Sequence, residues 1–295
     1  MTTIMAKPSF ESVVGANPEL QKLAGGFGFT EGPVWMPEDQ SLIFSDIPNN
    51  EMFRLSANGE VASFRAPSNM ANGNTRDAVG RLISCEHATS RVTRAEPDGS
   101  TTILAEHFAG QQLNSPNDVV VGPSGHIFFS DPNYGRNEYF GVKRSQELAF
   151  QGVFRVKPDG SDLTLLAYDF DQPNGLCFSR DGAKLFVNDS DKQHIRVFDV
   201  SPSGDVSGGG LWAEVKGKGE GVPDGMKIDD LGNVYCCGPS GIHVFTPDAK
   251  WLGVIHVPEV VANFTWGGPD LKTIYVTAST SLYKLRTSTQ GRATL

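Results

Sequence analysis

Six residues with oxygen-bearing side chains recur along the sequence, each at the start of a similar phrase. They lie 39 to 57 residues apart and are here termed the column residues: Glu31, Asn72, Asn117, Asn174, Asp224 and Asn263. Carboxylate and amide oxygens are the ligands that calcium prefers, and two carboxylates would balance the charge of one divalent cation. Because the set contains no Cys or His, it does not resemble a structural zinc site, although zinc or manganese with oxygen ligands stays open.

The column residues fall into alignment when the second strand of each phrase is matched from its end. Those strands read LIFSD, LISCE, IFFSD, LFVND, VYCCG and IYVTA. Repeats of about 40 to 50 residues built from short strands are typical of propeller blades, which bury their faces only against neighbouring repeats. The innermost strands of a propeller line one central channel, so the column residues should meet around its axis.

Two further strand-like phrases follow most repeats, with apolar residues alternating with polar ones, as at Phe53 and Leu55 around an arginine. The sequence therefore predicts an all-β, six-bladed propeller with four antiparallel strands per blade and a central metal site, formed as one domain by residues 1–295. The last repeat is one strand short, and the segment 8–24 is expected to supply its outer strand and close the ring. The long connection over residues 132–151 is a candidate rim loop or lid.

Composition excludes several classes of partner. The net charge is −9 and no basic run occurs, which argues against nucleic-acid binding because phosphate contacts need clustered Lys and Arg. The first residues lack the charged start and apolar core of a secretory signal, and no apolar run approaches the ~18 residues of a membrane span. The four cysteines lie in strand phrases, which suits reduced thiols. We expect a cytoplasmic protein without membrane contact; the sequence leaves its oligomeric state open.

An alternative interpretation of the column residues is purely local. Asn-Gly and Asp-Gly dipeptides are ordinary turn formers, and they occur at Asn72, Asn174 and Asp224. A turn does not need Glu31, however, and six coincident positions are not expected from turns alone. The coincidence favours a shared site.

The phrases around the column residues resemble one known family. The phrases concerned are FTEGPVW from Phe29, SPNDV from Ser115, QPNGL from Gln172 and VPDGM from Val222, within a similarity that runs from Gly28 to Tyr283. They look like those of the senescence-marker-protein/gluconolactonase/luciferin-regenerating-enzyme family of six-bladed propellers. Some animal members carry Arg where this chain has Ser115, whereas the stretch CEHATSRVTR from Cys85 looks more like the bacterial gluconolactonase branch.

This resemblance implies a central divalent cation and the hydrolysis of lactones. It implies Glu31, Asn174 and Asp224 as metal ligands, with Asn117 as a fourth ligand or a substrate contact. The family implies calcium most often, with zinc, magnesium or manganese in some members. The bacterial branch favours a sugar lactone such as gluconolactone as the small-molecule substrate.

Such a cation would polarise the lactone carbonyl and activate a water molecule. Asp224 is the predicted catalytic residue, as general base or as nucleophile, and the sequence does not separate the two. The predicted substrate contacts come from the column and from the ends of the second strands: Asn72, Asn117, Asn263, Glu86, His87 and Asp131. Two other functions remain open, namely hydrolysis of an organophosphate or other ester at the same ion, and calcium-dependent binding without catalysis.

Overall fold

Six four-stranded antiparallel sheets make up the fold, and each is one blade of a propeller. The coordinates are those of a computed structural model that describes residues 9–292, so residues 1–8 and 293–295 of the predicted domain, including the first residue of the predicted closing segment, lie outside the described range. The predicted six blades of four strands are confirmed. Among residues 9–292, no helix is long and apolar enough to cross a membrane.

The strands follow one another blade by blade. The amino-terminal elements are α1 (Phe10–Val14) and β1 (Gln21–Gly25). Blade 1 comprises β2 (Thr30–Met36), β3 (Ser41–Asp46), β4 (Glu51–Leu55) and β5 (Val61–Arg65). Blade 2 comprises β6 (Ala71–Arg76), β7 (Leu82–Glu86), β8 (Arg91–Ala95) and β9 (Thr101–Ala105), and is followed by the small hairpin of β10 (His107–Phe108) and β11 (Gln111–Gln112). Blade 3 comprises β12 (Val119–Val121), β13 (Ile127–Asp131), β14 (Gln151–Val156) and β15 (Thr164–Phe170).

The second half of the ring repeats this order. Blade 4 comprises β16 (Pro173–Phe178), β17 (Lys184–Asp189), β18 (His194–Val200) and β19 (Val206–Glu214). Blade 5 comprises β20 (Met226–Ile228), β21 (Val234–Gly238), β22 (Gly241–Phe245) and β23 (Trp251–His256). Blade 6 comprises β24 (Val261–Gly267), β25 (Thr273–Ala278) and β26 (Ser281–Arg286), with β1 as its fourth strand.

The first strand of each blade lies innermost. These strands contact one another in a closed circle, from β2 through β6, β12, β16, β20 and β24 back to β2. The apolar core is divided accordingly: each of the six buried clusters in residues 9–292 lies between two adjoining blades. A blade therefore buries its faces only by packing on its neighbours, which is why the repeats need one another.

The amino-terminal segment forms a helix and a strand in succession. A strand is predicted within 8–24, and the structure has it at Gln21–Gly25, paired antiparallel with β26. The earlier part of the segment is instead the helix Phe10–Val14, because Ser9 and Ser12 cap its first turn reciprocally. Val13 and Val14 are fully buried in the cluster between blades 5 and 6, so the helix packs against the junction that β1 completes.

Candidate functional site

A cavity of about 220 Å³ opens at one end of the central channel. Five of the six column residues contribute to its wall, so the structure brings together what the alignment of the repeats predicts. The lining consists of Phe29, Glu31, Ile47, Asn72, His87, Asn117, Tyr134, Phe140, Asn174, Gly221, Val222, Asp224, Val260 and Val261.

β-bulges place several column residues at the axis. The pairing register shifts at Glu31 in β2, beside Asn72 in β6, beside Asn174 in β16 and at Asn263 in β24. A bulge turns a side chain out of the regular alternation of a strand, and bulges are common beside active sites. The local backbone therefore directs Glu31, Asn72 and Asn174 toward the cavity, whereas Asn263 contacts the neighbouring blades.

Glycines beside the column residues allow the innermost strands to approach closely. A Cβ on Gly175 would lie 2.1 Å from the backbone oxygen of Asp224, and one on Gly32 would lie 2.0 Å from that of Asn72. No side chain fits such spaces, so glycine is required there by the neighbouring strand. The interpretation of the Asn-Gly and Asp-Gly dipeptides as local turns is wrong for two of the three, since Asn72 and Asn174 lie inside strands β6 and β16.

Hydrogen bonds fix the orientation of two column amides. Asn174 Nδ2 donates to Ser190 Oγ at 3.2 Å, and Ser190 Oγ in turn donates to the Pro223 carbonyl. Asn72 Nδ2 lies 3.1 Å from His87 Nε2 and donates to it. The Oδ1 atoms of both asparagines are buried and have no hydrogen-bond partner among the described residues. Since a buried oxygen without a partner is unfavourable, both are available to a cation or a substrate hydroxyl.

Both column carboxyls have raised pKa values. Burial raises the pKa of Glu31 to about 7, and the negative charge of Asp118 adds to the shift. Asp224 is partly open to the cavity, but desolvation by the surrounding protein, together with Glu31 and Asp118, raises the pKa of its carboxyl well above the ordinary value. A bound divalent cation would favour both ionised forms, so this pair is suited to holding one.

Two charged residues adjoin the column, and neither is recognised as functional from the sequence. Asp118 is 2% exposed, and its Oδ2 lies 3.9 Å from Lys227 Nζ. Lys227 also donates to Asn263 Oδ1 at 3.2 Å. The sequence does contain a signal for Asp118, because it stands directly after Asn117 where four other column residues are followed by Gly.

Asn263 is the column residue that does not belong to the described lining of the cavity. Its Nδ2 donates to Glu31 Oε2 at 3.0 Å, and its Oδ1 accepts from Lys227 and from the Phe264 backbone amide. Both ends of the amide are therefore engaged by protein. In the structure Asn263 hydrogen-bonds to Glu31 and does not line the described cavity, which differs from its predicted role as a substrate contact.

The structure also gives Asp131 another role than the predicted substrate contact. Its carboxylate accepts hydrogen bonds from the backbone amides of Asn114 and Ser115, just ahead of the innermost strand of its own blade. Asp46 and Asp189 make equivalent pairs of hydrogen bonds in blades 1 and 4. The acidic residue that ends each of these second strands thus binds the backbone of the segment leading into the innermost strand of the same blade. It does not line the described cavity.

Glu86 likewise lies outside the cavity. Its carboxylate accepts hydrogen bonds from the side chains of Asn69, Thr89, Arg91 and Thr93. A carboxylate with four donors is satisfied within its own blade, so Glu86 is not retained as a substrate contact.

His87, a predicted substrate contact, lines the cavity as a fixed neutral imidazole. Its Nδ1 donates to the Phe140 carbonyl at 2.8 Å, which leaves Nε2 to accept from Asn72. Burial, opposed by the Phe140 hydrogen bond and assisted by the charge of Arg144, lowers the pKa of His87 to about 4. His87 therefore holds the Asn72 amide in place and is not set up as a general base near neutral pH.

The rim loop, residues 132–151, forms a wall of the cavity. Arg144 donates to the backbone carbonyls of His87 and Ala88. Arg136 donates to the backbone carbonyls of Leu113 and Asn114. Tyr134 and Phe140 of this loop face the cavity. The loop is anchored at several points, which favours a fixed rim over a lid.

Apolar side chains form the upper walls, and the sequence alone does not identify them. Phe29 and Phe140 meet edge to face with ring centroids 5.1 Å apart, and Ile47, Val222 and Val260 lie around the same opening. Polar atoms are thus concentrated at the floor of the cavity. Such a site can orient a small molecule by a few polar groups while its walls exclude water.

The donor set at the floor is suited to a hard cation. Within residues 9–292, no three His, Cys, Asp or Glu side chains gather as a metal cluster. The floor instead combines two carboxyls with amide oxygens, of which Asn174 Oδ1 is buried and has no protein partner within that range. Oxygen-only sets of this kind suit calcium or magnesium better than zinc.

The fold and the site together define a six-bladed propeller with a cavity at one end of its axis, lined by carboxyl, amide and apolar side chains. The chain belongs to the SMP-30/gluconolactonase/LRE-like family, whose profile matches residues 29–280. The predicted family is confirmed.

Named relatives agree with this assignment. The chain is 29% identical to a gluconolactonase of Zymomonas mobilis, over 96% of this chain and 85% of that protein. It is 27% identical to a pentonolactonase of Haloferax volcanii, over 84% of this chain and 81% of that protein. Among solved structures, a gluconolactonase of Xanthomonas campestris superposes with a TM-score of 0.88 at 30% identity, covering 96% of this chain and 94% of the other.

Proposed function

We propose that the protein is a lactonase that hydrolyses a sugar lactone with the help of one divalent cation, calcium being the expected ion. Three kinds of observation support the proposal: the family, the lactonase names of its relatives, and the chemistry of the cavity floor. The observation that carries the cation is the buried Asn174 Oδ1, which has no hydrogen-bond partner among residues 9–292 and lies in the same cavity lining as two carboxyls whose pKa values are raised.

Glu31, Asn174 and Asp224 would hold the cation, with Asn117 as a fourth ligand or a substrate contact. When bound, the cation would polarise the lactone carbonyl and stabilise the negative charge that develops on its oxygen. Asn174 is prepared for this role, since Ser190 holds its amino group while its oxygen has no partner in the described part of the chain. Glu31 and Asp224 would together neutralise the ion.

Asp224 is the proposed catalytic residue. As a general base, it accepts a proton from the water whose oxygen bonds to the carbonyl carbon; the ring carbon–oxygen bond then breaks and a proton passes to the departing ring oxygen, giving the hydroxy acid. As a nucleophile, its own oxygen bonds to the carbonyl carbon and the ring carbon–oxygen bond breaks, giving a mixed anhydride and a ring hydroxyl that has taken up a proton; water then hydrolyses the anhydride to the hydroxy acid and regenerates Asp224. Both routes require Asp224 to be ionised, which burial and the neighbouring carboxylates oppose and a cation would favour.

The remaining cavity residues suit a small ring with hydroxyl groups. Asn72 Oδ1, which no described residue hydrogen-bonds, could accept a hydrogen bond from a substrate hydroxyl, while His87 holds the amino end of the same amide. Phe29 and Phe140 offer apolar faces to the carbon–hydrogen side of the ring. Asn72, Asn117 and His87 are therefore retained as the residues around the substrate.

The experiment is a pH-stat measurement of proton release from D-glucono-1,5-lactone and a pentonolactone, with spontaneous hydrolysis subtracted. Asp224→Asn is expected to lower kcat by at least about 100-fold, as removal of a general base or nucleophile does. Asp248→Asn, on the exposed turn between β22 and β23, is the matched control and should retain the wild-type rate. Turnover of a phosphotriester but not of lactones would favour the ester-hydrolase alternative, and calcium binding without any turnover would favour a binding protein.

A further inference from the structure

The Asn263 amide is held from both sides. Phe264 N donates to Asn263 Oδ1 at 2.9 Å and Lys227 Nζ donates to the same oxygen at 3.2 Å. With its oxygen engaged by two donors, the amide presents only its amino group to Glu31 Oε2, at 3.0 Å. The side chain is 2% exposed, so water does not compete for either end.

This arrangement distinguishes the two oxygens of Glu31. Oε2 accepts from Asn263 Nδ2 and also from the backbone amide of Gly32, whereas Oε1 has no hydrogen-bond donor among the described residues. Of the two carboxylate oxygens, Oε1 is therefore the one that the described residues leave open to a cation. Groups behind a ligand that fix its orientation commonly change metal affinity about 10 to 100-fold when they are removed.

We propose that Lys227 is a positioning residue which, through Asn263, holds Glu31 so that Oε1 faces the cation. Lys227 lies on β20 of blade 5, Asn263 on β24 of blade 6 and Glu31 on β2 of blade 1, so the chain of contacts joins three consecutive blades at the axis. This inference rests on the proposed cation site and adds the residues that orient one of its ligands.

Two effects of Lys227 on a nearby cation have opposite signs. As a positive charge, it would repel the ion, so its removal would tighten binding. As a positioning residue, it keeps the Asn263 oxygen turned away from Glu31, and its removal would weaken binding by loosening that orientation. Asp118 Oδ2 lies 3.9 Å from Lys227 Nζ, which is too far for a hydrogen bond. At this distance the negative charge of the carboxylate still offsets part of the positive charge of the ammonium. We expect positioning to dominate.

The test is calorimetric titration of the full chain, stripped of metal, with calcium chloride and then with manganese chloride. Lys227→Met keeps the length of the side chain and removes the donor; it is expected to weaken calcium binding by about 10-fold. Asn263→Leu, which removes the whole bridge, should weaken it about 10 to 100-fold. Lys250→Met, an exposed lysine that does not line the cavity, removes the same charge and should leave affinity unchanged.

The double variant Lys227→Met/Asn263→Leu shows whether Lys227 and Asn263 affect calcium binding through the same chain of contacts or independently. If Lys227 acts through Asn263, combining the two substitutions weakens calcium binding by less than the product of the two separate losses. Urea unfolding of the metal-free proteins shows whether each variant is folded; Lys227→Leu, which also lacks a donor, replaces Lys227→Met if the latter is not. A merely structural role would lower stability and leave the affinity of the folded protein unchanged.

The outcomes are distinguishable. Weaker binding in both single variants with a less than multiplicative double variant supports the inference. Unchanged or tighter binding by Lys227→Met, with a clear wild-type signal, overturns this inference and leaves the cation site intact. Absence of binding by the wild type to either ion overturns the cation site and this inference together.

Discussion

The buried histidine of the cavity makes the stability of the fold depend on pH in a defined direction. His87 is 1% exposed, its Nδ1 donates to Phe140 O and its Nε2 accepts from Asn72. Protonation would place a donor at Nε2 facing the Asn72 amino group, and burial lowers the pKa of His87 to about 4. An unfolded histidine titrates near 6.5. The unfolded state therefore binds a proton between about pH 6.5 and 4 that the native state does not.

The sign of the effect is given by proton linkage. Because the folded pKa lies below the unfolded one, the contribution of neutral His87 to stability is fully present above about pH 6.5 and is lost as pH falls. Each pH unit is worth about 1.4 kcal/mol, so between pH 7 and 4.5 His87 alone should lower the free energy of unfolding by about 2 to 3 kcal/mol.

His87→Gln removes this titration while keeping a polar side chain in the cavity. Urea unfolding followed by tryptophan fluorescence should give a flatter dependence of stability on pH for the variant than for the wild type, with the two curves converging by about 2 to 3 kcal/mol at pH 4.5. His107→Gln, at an exposed histidine of β10, is the control and should follow the wild type. Parallel curves for wild type and His87→Gln would refute the reasoning.

Three further outcomes are expected from contacts around the cavity. Gly175→Ala should destabilise the protein by more than about 2 kcal/mol in urea unfolding, because the added Cβ would meet backbone atoms of Asp224 that cannot move independently; wild-type stability would show that the innermost strands can separate. Ser190→Ala should weaken calcium binding about 10-fold in calorimetry, by freeing the Asn174 amide to rotate, and unchanged affinity would contradict that role. Arg144→Met should raise hydrogen exchange within residues 132–151, since two backbone carbonyls lose their donor; unchanged exchange would show that other contacts anchor the loop.

The repeat pattern predicts the fold because it records both strand alternation and spacing. The column residues are visible in the sequence for the same reason: each lies within or just before the first residues of an innermost strand. The role of the glycine after a column residue is harder to predict from the sequence, because a dipeptide such as Asn174-Gly175 has the composition of a turn. The need for Gly175 comes from Asp224 of the next blade, 49 residues further along the chain, and local sequence contains no such contact.

Hydrogen-bond partners from other blades decide which polar residues face the cavity. Asn263 has the same residue type and repeat position as Asn174, yet Lys227 and Glu31 engage both ends of its amide. Asp131 ends a second strand, as Asp189 does, and both bind backbone amides of the incoming chain. Residue type and position in the repeat are therefore insufficient, because the partners lie on neighbouring blades or in loops.

The central claim is that lactone hydrolysis depends on a divalent cation held by Glu31, Asn174 and Asp224. The most direct measurement is the rate of proton release from D-glucono-1,5-lactone by the wild-type protein before chelation, after removal of metal, and after addition of calcium chloride. We expect activity to fall to the spontaneous rate in the metal-free protein and to return with calcium. Full activity in protein shown by elemental analysis to be free of metal would contradict the claim.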